Sequence, residues 1–156
     1  MQKQGIAVFF AALLIAMALG GCSGNGSEEL KDGTYRAEMK NESHGYRDYV
    51  EITVANGKID AVVFDAVTSD GKKKSQDEAY KKAMMEGNKN AGVPETYPAD
   101  YTKKLTQQLV EKQSIDQVDA VAGATTSSND FKTLVSALMK QIERGKTQTV
   151  VVDNPQ

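Results

Sequence analysis

The sequence predicts an α+β domain, a single antiparallel β-sheet packed by helices, behind an N-terminal segment that is not part of it. Three observations carry this. Apolar residues alternate with period two in the first part of the domain and recur at three- and four-residue spacing in the rest. Asn56-Gly57 separates two alternating runs, a strong hairpin signal because both residues tolerate positive φ. Phe131, Leu134, Val135, Leu138, Met139 and Ile142 form one continuous helical stripe.

The 156 residues leave room for one ordinary domain. Lys3 precedes an almost wholly apolar run from Ile6 to Leu19, and Leu19-Gly20-Gly21-Cys22 closes it with small residues. This reads as a secretory signal peptide over 1–21, too short for the ~20 residues of a membrane-spanning helix. Cys22 is the only cysteine, so neither a disulfide within the chain nor a cysteine metal cluster is possible. Leu-Gly-Gly-Cys resembles a bacterial lipobox, which implies that Cys22 is acylated with a palmitate-type chain and becomes the new N-terminus. A Gly, Ser, Asn and Glu tether then spans 22–30, its polar part reaching at most about 25 Å. With 19 basic and 21 acidic residues, the chain has no electrostatic footprint for nucleic acid.

In chain order, Thr34 to Met39 alternates with Tyr35, Ala37 and Met39 on one face, and Asp48 to Val54 alternates through Val50, Ile52 and Val54. Ile59 to Val67 follows the Asn-Gly turn, giving three antiparallel strands. From Ser75 to Glu86 the period becomes helical, with Ala79, Tyr80, Ala83 and Met84 on one face and an end at Gly87. Pro98 suits the first turn of a helix carrying Tyr101, Leu105 and Leu109. Ser127 or Ser128 is positioned to cap the last helix, and Gly145 to end it. Thr147 to Val152 is a candidate closing strand.

The densest chemistry lies between Asp119 and Ser128, Asp-Ala-Val-Ala-Gly-Ala-Thr-Thr-Ser-Ser. Gly123 allows a ligand close to the backbone, Ala124 stays small, and Thr125 offers a hydroxyl just before the helix, with Thr126 and Ser127 beside it. First-turn N–H groups lack internal partners and carry the positive end of the helix dipole, which suits a phosphate. Asp119 lies on the approach, where it can orient a turn or assist at the hydroxyl. On bare spacing, helix capping and a tight turn explain the same string.

Asp119, Gly123, Ala124 and Thr125 resemble the flavinylation motif Asp-x-x-(Ser/Thr)-Gly-Ala-(Thr/Ser) of FMN-binding domains. That family includes a subunit of the sodium-pumping NADH:quinone reductase and many bacterial surface lipoproteins. Asp32-Gly33-Thr34-Tyr35 and Gly45-Tyr46, ahead of Asn56-Gly57-Lys58-Ile59, resemble its opening. Ala122 departs from the pattern. The resemblance implies an FMN-binding domain over 31–153, with FMN esterified through its phosphate to Thr125 by a flavin transferase. It also implies electron transfer without turnover of a private substrate, from a membrane electron donor to an extracellular acceptor. The setting implied is the cell membrane, with the protein lipid-anchored to the bilayer through Cys22 on its extracytoplasmic face. Non-covalent FMN, another phosphorylated ligand, or a peptide signal cut from the signal peptide remain open as alternatives.

His44, the only histidine, reads as a surface loop residue; Lys72-Lys73-Lys74 is open to two readings, a charge run facing anionic lipid or a flavin phosphate and, more commonly for such a run, a solvated turn. Tyr101 and Met84 read as helical core. Tyr97, in a Pro-bounded loop, is the best candidate flavin neighbour. No Ser-His-Asp set, Walker loop or metal-ligand spacing is present, so no catalytic or metal-binding residue is assigned.

Overall fold

The computed structural model describes residues 30–155. The signal peptide, Cys22 and almost all of the tether lie outside them. Strands β1 (Gly33–Met39), β2 (Arg47–Ala55) and β3 (Lys58–Val67) form the expected antiparallel meander. Asn56 (φ 54°) and Gly57 (φ 71°) make the β2–β3 turn, the left-handed pair that matches strand twist. Helices α1 (Glu78–Asn90), α2 (Pro98–Lys112) and α3 (Thr125–Glu143) follow, then β4 (Val150–Val152).

The sheet order is β3-β2-β1-β4. The sheet is mixed rather than purely antiparallel, because β4 pairs with β1 in parallel, Ala37 opposite Val150 and Met39 opposite Val152. The reason is where α3 ends: Lys31 N–H donates to Ile142 O (3.4 Å), so the chain leaves the helix beside the start of β1 and runs the same way. Gly145, at φ 64°, terminates α3 as expected, its N–H donating to Ile142 O.

One sheet face is apolar. Tyr35 lies opposite Ile52 and Ile52 opposite Val62; Ala37 lies opposite Val50 and Val50 opposite Phe64. These rows pack against Tyr101, Leu105 and Leu109 of α2 and the predicted stripe of α3, all buried except the partly covered Met139. The opposite face carries Arg36, Glu38, Arg47 and Glu51, held in a ladder of ion pairs 3.5–4.0 Å long. A surface pairing of this kind contributes little stability.

Helix α1 differs from its prediction at both ends. Ser75 belongs to a 3-10 turn (Lys74–Gln76), where its N–H and hydroxyl both donate to Asp65. Asp77 caps α1 instead, accepting Tyr80 N–H at 3.0 Å. The helix continues through Gly87 to Asn90, and no residue in it is fully buried. Ala79 and Ala83 are exposed, so the face it turns inward is narrower than its apolar spacing suggests. Among the described residues no helix is long and apolar enough to cross a membrane.

Candidate functional site

The start of α3 is fixed by a turn over Val121–Ala124, closed by Ala124 N–H donating to Val121 O at 3.0 Å. Gly123 takes φ +80°, a left-handed position that glycine adopts without cost. A Cβ there would stand 2.3 Å from Pro94 O and 2.9 Å from Asn88 Nδ2. The missing Cβ therefore admits the loop after α1. Asn88 completes this contact by donating from Nδ2 to Gly123 O (3.1 Å).

Ser128 secures the turn from the other side. Its fully buried hydroxyl accepts Val121 N–H (3.0 Å) and donates to Ala124 O (2.8 Å). Neither Ser127 nor Ser128 is the cap. The N-cap is Ala124, no side chain caps the helix, and Thr125 is its first residue rather than the one before it. The first-turn N–H groups of Thr125, Thr126 and Ser127 consequently have no partner within the helix.

These groups open on a cavity of about 190 Å³ lined by Gly123, Ala124, Thr125, Thr126 and Ser127 on one side. Facing them are His44 and Asp48 from the β1–β2 region, Lys74 from the 3-10 turn, Tyr80 and Met84 from α1, and Asp130 from α3. Lys74 is only 6% exposed, and no carboxylate of the described residues lies within ion-pair distance of it. Its Nζ instead stands 4.6 Å from the Tyr80 ring centre and 5.6 Å from that of Tyr46. The two rings meet edge to face at 5.6 Å. Tyr46 donates its phenol to Asp77 Oδ2 (2.5 Å), which with burial pushes its pKa up to about 12.

Burial pushes the Asp48 carboxyl up to about 6; Lys74 opposes this and Asp130 and Asp65 add to it. Asp130 is raised by burial as well, again against the pull of Lys74. One ammonium, a helix N-terminus and two carboxyls that resist ionisation thus share a small cavity.

Five of the residues expected at the site, Thr125, Thr126, Ser127, Gly123 and Ala124, line this cavity. Asp119 is not brought to it. Its side chain is 84% exposed and pairs with Lys112 Nζ at 2.9 Å, while Gln108 holds its backbone N–H and carbonyl. Ala122 is exposed on the turn. Tyr97 stands at the start of α2 under Lys81 and does not line the cavity, whereas Met84, read as core, does. Tyr101 is buried core.

Sequence reasoning missed His44, Asp48 and Tyr80 as lining residues. The lysine run was open to a phosphate-facing reading, but its pattern did not single out Lys74, whose two neighbours are exposed while it alone is buried. Among the described residues no cluster suited to a metal ion is present.

Residues 45–140 match the family model described as FMN-binding domain. The chain is 34% identical over 141 residues to the 15 kDa lipoprotein of Treponema pallidum (strain Nichols), covering 90% of this chain and 94% of that protein. The fold is similar to the crystal structure of a Clostridium perfringens protein, with a TM-score of 0.71 at 36% identity, covering 80% of this chain and 98% of the other.

Proposed function

This chain belongs to the FMN-binding domain family, with FMN as its cofactor, and on that premise we propose that it carries FMN on Thr125 as a membrane-anchored electron carrier. The observation that supports attachment there is the uncapped start of α3, where the Thr125 hydroxyl and three unpartnered N–H groups adjoin one cavity. Its donors and dipole suit a phosphate.

The cavity fits only part of the cofactor. Its 190 Å³ is below the ~300 Å³ at which small-molecule sites begin, so it would hold the phosphate end alone, and Tyr80 and Met84 are the larger aromatic and apolar side chains of its lining. When bound, FMN supplies the electron chemistry, and the protein supplies position and electrostatics. In attachment, the Thr125 Oγ–P bond forms as the bond from phosphorus to the leaving group of an activated flavin nucleotide breaks. The hydroxyl proton departs with that leaving group. A flavin transferase delivers the nucleotide, as the resemblance of Asp119, Gly123, Ala124 and Thr125 to the flavinylation motif implies.

Anchoring through Cys22 on the extracytoplasmic face is supported by the Leu-Gly-Gly-Cys sequence and by the lipoprotein designation of the Treponema relative. A membrane donor and an extracellular acceptor belong to the same reading and rest on the family resemblance. A covalent bond also has a physical logic there: a micromolar site holds its ligand by only ~8 kcal/mol and would empty into dilute surroundings.

Intact mass after co-expression with a flavin transferase tests the reading. The wild type gains one FMN residue that survives denaturation, and Thr125→Ala gains none. An adduct retained in Thr125→Ala refutes the acceptor; flavin released on denaturing the wild type refutes the covalent bond.

A further inference from the structure

We infer that Lys74 is the cation of an anion-binding site at the start of α3, the charge that holds the phosphate of FMN against Thr125. The inference rests on the proposed attachment for the identity of the anion, though not for the site itself.

The three consecutive lysines have different surroundings. Lys72 pairs with Asp77 (2.5 Å) and is more than half exposed, and Lys73 is exposed. Lys74 is turned inward, its ammonium stacked on Tyr80 and Tyr46 and lining the cavity with Asp48 and Asp130, neither of which is within ion-pair distance of it. Burying an ammonium is costly unless it is paired. Two aromatic faces offset part of that cost through cation–π attraction. The remainder is offset when an anion enters, and the open groups beside it are the N–H donors of Thr125, Thr126 and Ser127.

Charge balance leads to the same site. A phosphodiester on Thr125 keeps one negative charge and would share the cavity with Asp48 and Asp130. A helix dipole worth about half a charge does not balance that anion alone. Lys74 is the one lysine or arginine among the lining residues to set against it.

The test uses the full chain produced without a flavin transferase and inorganic phosphate as the probe. In wild type, phosphate shifts the amide signals of Thr125, Thr126 and Ser127 and the Lys74 side-chain signal along one saturating curve. Lys74→Met and Lys74→Gln weaken that binding at least tenfold, and Lys74→Arg retains it within about threefold. Unchanged binding in a folded neutral variant overturns the inference. So does saturation of the amides in wild type with no movement of Lys74, which holds even if the variants do not fold. Loading distinguishes this from the proposed function: a wild type that never gains FMN but binds phosphate through Lys74 defeats the attachment and leaves the site. A wild type that gains FMN while phosphate ignores Lys74 does the reverse.

Discussion

Gly123→Ala probes the joint between the acceptor turn and the loop after α1. The new Cβ would lie 2.3 Å from Pro94 O, and contacts under 3.0 Å are essentially never made by real Cβ atoms, so backbone must withdraw. Thr96 Cγ2, at 3.2 Å, closes the third side. Holding an L-residue at φ +80° costs about 1–2 kcal/mol. Overpacking against a fixed carbonyl adds about 1–3 kcal/mol, and retreat of the loop loses the Asn88–Gly123 hydrogen bond, about 1 kcal/mol. The expected loss is roughly 3–6 kcal/mol, a large share of the ~5–15 kcal/mol that stabilises a domain. Urea unfolding measures it, with Asn88→Ala as the control that removes the hydrogen bond alone and costs about 1 kcal/mol. FMN loading should fall in Gly123→Ala as the turn shifts. A Gly123→Ala protein within 1 kcal/mol of wild type would refute the reasoning, because the clash would then have been absorbed without effect.

Ser128→Ala leaves the buried Val121 N–H without its acceptor and should cost about 1–3 kcal/mol by thermal or urea unfolding, whereas a loss under 0.5 kcal/mol would mean the hydroxyl does not hold the turn. Asp48→Asn should change the pH dependence of stability. The folded pKa of about 6 lies above the ordinary aspartate value of 3.8, so the stability linked to its proton is complete below pH 3.8 and lost as pH rises through 6. The variant should therefore gain on wild type by about 2–3 kcal/mol between pH 4 and pH 8. A stability difference that stays constant across that range would show that Asp48 titrates normally.

Much of the scaffold is written locally. Asn56-Gly57, the α2 spacing of Tyr101, Leu105 and Leu109, and the α3 stripe each depend on residues a few positions apart, and each lies where its pattern indicates. What was not legible depends on distant partners. Asp65 withdraws Ser75 from α1, Asn88 carries α1 past Gly87 to reach Gly123, and the parallel direction of β4 depends on where α3 ends against Lys31. The site divides in the same way. The acceptor side is one stretch of ten residues; the facing side is assembled from His44, Asp48, Lys74 and Tyr80, which no spacing joins. Asp119 matches a motif in sequence, yet Lys112 and Gln108 hold it outward.

Helix α3 also sets a direction. Its 19 residues measure about 28 Å, with Thr125 at one end and, at the other, Ile142 bonded to Lys31, where the chain comes in from the N-terminal tether. The proposed acceptor and the entry of the chain into the domain therefore lie at opposite poles. Under the proposed lipid anchor, a flavin on Thr125 would stand at the pole farther from the anchored end of the domain.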